Sequence, residues 1–204
     1  MPPAARERNR RGEGERLRED IIEAATALME RAGCDEGLTL RGTARAVGVS
    51  PQAMYLHFDD LTTLVLAVLG RCHALMSSVM EAAAAEWDDP VERVLARGRA
   101  YITWGMANPG LYQVMYEGRV QAVHEPGEVP PGRKVLWAVR DDVTAAMASG
   151  RIPEGDAGLI AVQLWALVHG LVSLRANKPH FPWPDPLALA DAGGRRIMGV
   201  GAGS

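Results

Sequence analysis

The sequence predicts an all-α protein, and three observations carry that reading. Of the 204 residues, 48% are apolar, enough for a substantial core in one domain or two modest ones. Apolar positions recur at helical spacing within segments dominated by alanine, leucine, methionine and arginine. Period-2 runs of β-branched and aromatic residues are missing, so no segment reads as a strand.

In chain order, residues 1–16 read as a flexible arginine-rich arm. Over residues 1–18 Arg6, Arg8, Arg10, Arg11, Arg16 and Arg18 face Glu7, Glu13 and Glu15, while the whole chain carries a net charge of −3. A chain with that balance does not coat nucleic acid by bulk electrostatics, so any contact with DNA is local. The arm is either phosphate-seeking or a solvated leader. No apolar stretch follows Arg10-Arg11, which argues against twin-arginine export. Cys34 and Cys72 lack metal-ligand spacing and fit a reduced cytoplasm.

Residues 17–60 read as one module. A helix from Leu17 to Ala32 places Leu17, Ile21, Ala24 or Ala25, and Leu28 on one face, and Gly33 ends it. From Leu38 to Phe58 (LTLRGTARAVGVSPQAMYLHF) two short helices meet at a tight turn. Thr39 is the N-cap of Leu40 to Ala46, and Gly48 supplies the positive φ of the turn. Ser50-Pro51 is an N-cap with proline at the first position of a helix running to His57. Leu40, Ala44, Val47, Val49, Met54 and Phe58 close a small core and leave Ser50, Gln52, Tyr55 and His57 outside. This is a helix-turn-helix, whose second helix fits a DNA major groove.

Residues 61–204 read as a helical body. Asp59 or Asp60 caps a long helix, Leu61 to about Trp87, that joins the module to the rest. Asp88-Asp89-Pro90 starts a helix from Val91 to Ala107, stopped at Asn108-Pro109-Gly110, and a short helix runs from Leu111 to Glu117. Gly118 to Gly132 reads as a loop. A helix from Arg133 to Ser149 is closed by Gly150, and a run from Asp156 to about Asn177 is apolar on nearly every side. Its charge-free stretch, Ala157 to Leu174, is borderline for a membrane span and is interrupted by Gln163, His169 and two glycines. The preferred reading has no membrane: helices 133–149 and 156–177 form half of an intersubunit four-helix bundle. Val139, Val143, Ala146, Leu164, Leu167, Val168 and Leu171 are its expected contacts, and the small residues Ala145, Ala166 and Gly170 permit close approach. A weak helix from Leu187 to Met198 precedes a glycine-rich end.

The module resembles the TetR family of transcriptional regulators through Thr39, Ala44, Ala46, Gly48, Val49, Ser50, Tyr55, His57 and Phe58. The C-terminal half resembles the WHG-domain subgroup of that family through Tyr101, Asn108-Pro109, Leu111-Tyr112 and Met115, and through Trp165, His169 and Gly170. The resemblance implies an N-terminal three-helix DNA-binding domain joined by the long helix to a ligand-binding and dimerisation domain. Two departures stand out. Gly42 replaces an acidic residue that would complete a capping box, at a cost of about 1 kcal/mol. Leu61 replaces a lysine, removing one expected phosphate contact.

The expected DNA-binding residues are Thr39, Arg41, Ser50, Pro51, Gln52, Ala53, Tyr55 and His57. Ser50, Gln52 and Ala53 lie nearest the base edges, Gln52 suits a bidentate contact to adenine, and the others position the module on phosphates. Met76, Met80, Trp104, Met106, Tyr112, Met115, Tyr116, Trp137 and His169 are the expected lining of a pocket for a small, largely apolar ligand. Ordinary core is the alternative for each, and Glu117 or Arg119 is a candidate to orient the ligand. No cofactor is expected. Asp141 and Asp142 point about 100° apart on a helix and read as solvated charges rather than an acid/base pair. No histidine stands at metal spacing, and Ser77-Ser78 lack a nucleophile context. The chain therefore reads as a cytoplasmic homodimeric regulator acting on a palindromic operator, not an enzyme. The alternative is a ligand-binding or scaffold protein of the same fold without a DNA role.

Overall fold

The computed structural model describes residues 13–32, 38–117 and 131–201. Residues 1–12 of the arm, Gly33, Cys34, Arg119 and the segment 118–130 lie outside the described residues, as does the side chain of Glu117. The described residues are helical, with no strand among them. In order they form α1 (Glu13–Ala32), α2 (Leu40–Val47), α3 (Pro51–Met54), α4 (Leu61–Ala84), α5 (Pro90–Ala107), α6 (Pro109–Glu117), α7 (Pro131–Ala148), α8 (Ala157–Asn177) and α9 (Pro186–Ile197).

Aspartate caps set most of the helix starts. Asp60, Asp89, Asp156 and Asp185 each accept a backbone N–H from the first turn of α4, α5, α8 and α9, satisfying donors that have no partner within the helix. Asp60 takes Thr63 N at 2.7 Å and Thr63 Oγ1 at 2.9 Å, and these bonds hold its carboxyl below the usual carboxylate range. Two helices are shorter than expected. α3 stops at Met54 because Leu56 N and His57 N reach back three residues, to Ala53 O and Met54 O, tightening the chain beyond α-helical pitch. α4 stops at Ala84, and Trp87 N closes a turn on Ala84 O.

Three apolar clusters hold the fold. The first joins Ile21, Ile22, Ala25 and Met29 of α1, Ala44, Met54 and Phe58 of the helix-turn-helix, Leu64, Val65 and Val68 of α4, and Leu111 and Val114 of α6. Burying each large side chain contributes about 1.5–3 kcal/mol. The helix-turn-helix module is therefore packed onto α4 and α6 rather than hung from a linker. Leu61 is part of this joint, partly buried against the cluster, so the residue that departs from the family pattern packs inward. The second cluster spans α4, α5, α6, α8 and α9, and the third α5, α7 and α8 with Ile152 and Met198. α5 is the central element, in contact with α4, α6, α7, α8 and α9.

Arg97 and Asp142 are the charges this body buries. Arg97 Nε donates to Asp142 Oδ2 at 2.8 Å, Arg93 Nε donates to Asp142 Oδ1 at 2.7 Å, and Arg97 Nη1 stands 2.8 Å from Glu81 Oε1. That last contact is an ion pair not aligned as a hydrogen bond. Asp142 is thus not the solvated charge its neighbour Asp141 is. The turn of α7 places it against α5, where two arginines one helical turn apart receive it.

Candidate nucleic-acid interface and ligand cavity

The helix-turn-helix is assembled by its own caps. Thr39 Oγ1 accepts from Gly42 N at 2.9 Å, and Thr39 O accepts from Thr43 N and from Thr43 Oγ1. Gly48 takes φ +79°, and Ser50 Oγ accepts from Ala53 N at 3.3 Å. Buried Ala44, Met54 and Phe58 hold one side of α2 and α3. Thr39, Arg41, Ser50, Pro51 and Gln52 then lie exposed on the other, with Ala53 and His57 half-buried. Tyr55 is 58% exposed.

Two residues on this surface escaped the sequence reading. Leu56 is 77% exposed, an apolar side chain of the kind that meets thymine methyl groups. Arg45 is exposed in the last turn of α2 and adds a cation beside Arg41. Leu56 follows Tyr55 in a run read as helix, and the tightened turn is what brings both to the surface. Arg18 is held elsewhere, its guanidinium 5.1 Å from the Phe58 ring centroid.

A cavity of about 250 Å³ lies in the body, lined by Met76 and Met80 of α4, Leu95, Arg97, Gly98 and Tyr101 of α5, Tyr116 of α6, Val135, Leu136 and Val139 of α7, and Leu164, Trp165, Leu167 and Val168 of α8. Of the residues expected in a pocket, Met76, Met80 and Tyr116 line it. Trp104, Met106, Tyr112, Met115, Trp137 and His169 do not, although Met106 and Tyr112 line a second, more open cleft with Glu30 and Asn177, and Trp104 lines a third. Trp104 and Met115 pack between the first two clusters, Met106 opens to the surface at 44% exposure, and Trp137 sits on the outer side of α7. Residue type marked these side chains as suitable, but the face of each helix decides which ones point inward.

Tyr112 and His169 stand behind the cavity wall. Tyr112 Oη lies 2.6 Å from His169 Nδ1 and 3.0 Å from Tyr101 Oη, which is 3.3 Å from the same nitrogen. The Tyr116 ring stands 4.7 Å from the rings of Tyr112 and His169, and the Trp165 ring 5.9 Å from His169. Burial raises the Tyr101 and Tyr116 phenols far above their usual value, so both stay protonated. Cys72 is buried on α4 and its thiol is pushed up to about 11, chiefly by burial, which makes it unreactive at neutral pH.

The residues expected at a subunit interface divide. Val143 and Ala146 have no exposed surface and pack within the protomer against α5, so they cannot touch a second chain. Leu164, Val168 and Leu171 are nearly as buried, and Leu164, Leu167, Val168 and Val139 line the cavity. The apolar residues that α8 leaves outside are Leu159, Val162, Trp165 and Leu174, each more than 40% exposed, with exposed Ala166 between them. α4 and α8 are both long and apolar enough to cross a membrane by length and composition. α4 turns Leu64, Val65, Val68, Leu69, Cys72, Met76 and Met80 into the core. No group of three or more metal-ligating side chains occurs among the described residues.

The comparisons agree with this architecture. Residues 94–195 match the family described as tetracyclin repressor-like, C-terminal domain. The chain is 27% identical over 150 residues to the HTH-type transcriptional regulator Rv1816 of Mycobacterium tuberculosis, covering 70% of this chain and 62% of that one. The chain thus spans under two thirds of the length of that curated relative. A solved structure of a protein of unknown function from Rhodococcus superposes with TM-score 0.76 at 29% identity, over 90% of this chain and 95% of that one. AibR, solved in complex with isovaleryl coenzyme A and operator DNA, shares the fold with TM-score 0.65 at 17% identity, over 90% of this chain and 99% of AibR. The matched family and Rv1816 are transcriptional regulators, not enzymes. Through the match over its C-terminal half, the chain belongs to the TetR family of transcriptional regulators.

Proposed function

We propose that this regulator is a cytoplasmic homodimer that binds a two-fold symmetric operator, as a repressor, and releases it when a small, largely apolar molecule fills the cavity. One observation carries the reading: two of the helices that wall the cavity, α4 and α6, also pack against the helix-turn-helix module. α4 gives Met76 and Met80 to the cavity and Leu64, Val65 and Val68 to the module. α6 gives Tyr116 to the cavity and Leu111 and Val114 to the module. A ligand bound more tightly when these helices shift moves the module by that difference in affinity and no more.

Two recognition elements would enter successive major grooves about 34–36 Å apart. Ser50, Gln52 and Ala53 face base edges, while Thr39, Arg41, Tyr55 and His57 engage phosphates. The apolar outer face of α8, with Leu159, Val162 and Leu174, supports dimerisation through a bundle with α7. AibR joins operator and small molecule in one protein of this fold.

The test is fluorescence anisotropy on duplexes flanking the coding region of the protein. Specific binding that weakens steeply with salt supports the reading. No preference over scrambled DNA favours the second reading, a ligand-binding protein of this fold without a DNA role, to which the net charge of −3 and the inward-packed Leu61 point.

A further inference from the structure

The wall of the cavity constrains the chemistry of its occupant, an inference that rests on the ligand-responsive reading above. We propose that the cavity selects an uncharged, mostly apolar ring compound bearing one hydroxyl or carbonyl group, and discriminates against the carboxylate of the same skeleton. Most of the wall is hydrocarbon or thioether, from Met76, Met80, Leu95, Val135, Leu136 and Val168. Thioethers and aromatic edges favour a flat ring, and about 250 Å³ limits it to a small molecule.

Charge is already settled on this wall. The Arg97 guanidinium is engaged by Asp142 and Glu81, and Arg93 shares Asp142. Among the described residues these two cations and two anions neutralise one another. Arg133, the other cation of the lining, is exposed, where water weakens its pull. His73 also lines the cavity, edge-on to the Tyr116 ring at 6.5 Å.

What remains is a set of hydroxyls and ring N–H groups. Tyr101 and Tyr116 reach the cavity beside Trp165, and Tyr101 is hydrogen-bonded to Tyr112 and His169. A hydroxyl donates and accepts and rotates to suit. Such a wall meets a ligand hydroxyl or carbonyl without leaving an orphaned group. A carboxylate would surrender its water and meet, among the described residues of the wall, the exposed Arg133, whose pull water weakens.

Isothermal titration of the full chain with 2-naphthol and with 2-naphthoate compares the two groups on one ring system. The expected result is naphthol binding at least tenfold tighter than naphthoate. Tyr116→Phe should shrink that preference to threefold or less with an unchanged circular dichroism spectrum. Gly98→Leu, whose Cβ would already lie 3.4 Å from Val168 Cγ1, or Leu136→Trp, should fill the cavity and abolish binding. Naphthoate binding as tightly as naphthol, no binding of naphthol at millimolar concentration, or naphthol binding untouched by both filling variants would overturn the proposal. Loss of the naphthol preference with operator binding intact removes the ligand class alone. Failure of operator binding removes the regulator reading and leaves the naphthol result standing.

Discussion

A buried guanidinium is costly to desolvate unless its partners follow it inside, and Arg97, 7% exposed, has Asp142 at 2.8 Å on its Nε. Asp142→Ala should destabilise the fold by about 3–5 kcal/mol in urea denaturation, because it strands that charge. The double variant Arg97→Met with Asp142→Leu should lie closer to the parent. Equal losses in the two variants would mean the pair is not the cause. Cys72 gives a pH test. Its folded pKa of about 11 stands above the ordinary 9.0, so the unfolded chain ionises first. Its stability contribution is complete below pH 9 and falls as pH rises toward 11. Cys72→Val should therefore gain roughly 2 kcal/mol on the parent between pH 8 and 10.5, and a constant difference would contradict the assignment. At the DNA surface, Gln52→Ala and Tyr55→Ala should each weaken operator binding at least tenfold without changing thermal stability, since both side chains are exposed. What the sequence concealed at this scale is partnership. The Asp141-Asp142 pair tells nothing of two arginines 45 and 49 residues earlier in the chain, which only the packing of α7 on α5 brings together.

Caps and breakers made most of the elements legible, because an aspartate before a helix satisfies local donors whatever the rest of the chain does. Asp60, Asp89 and Asp156 stand where the sequence places helix starts, and Gly48 turns between α2 and α3 as its type requires. Less legible were helix ends, where α3 and α4 stop early, and helix faces, which put Trp104, Met106 and Trp137 outside the cavity. The contact between α1 and α6 was also hidden. Glu30 Oε2 of α1 accepts Leu111 N of α6 at 2.7 Å, capping α6 from another element. Beside it, a Cβ on Gly110 would stand 2.2 Å from Glu30 O, so the backbones meet only because glycine is there. Gly110→Ala should cost at least about 1–3 kcal/mol and weaken operator binding by displacing α1. Full operator affinity with a shifted urea midpoint would show that this joint holds the fold without positioning the module.

Across the whole molecule, the sequence made the division into module and trunk readable, since one segment carries turn chemistry and the other long apolar periodicity. The outward face of α8 is not legible in the sequence, because a helix apolar on every side has no periodicity to orient it. Val162, 44% exposed, lies on the face proposed to meet a second chain, whereas Val143 is sealed inside its own. Val162→Glu should yield a monomer by light scattering while Val143→Ala should leave the dimer and lower stability by about 1–3 kcal/mol. In the proposed dimer, cavity and helix-turn-helix modules move together. Spin labels at Glu23→Cys, exposed on α1, with Cys34 and Cys72 replaced by serine and valine, report the distance between the two modules by electron double resonance. One narrow inter-protomer distance on operator DNA, shifted and broadened by 2-naphthol as DNA is released, is the expected result. Absence of dipolar coupling, or a distance unmoved while naphthol occupies the cavity, would contradict it.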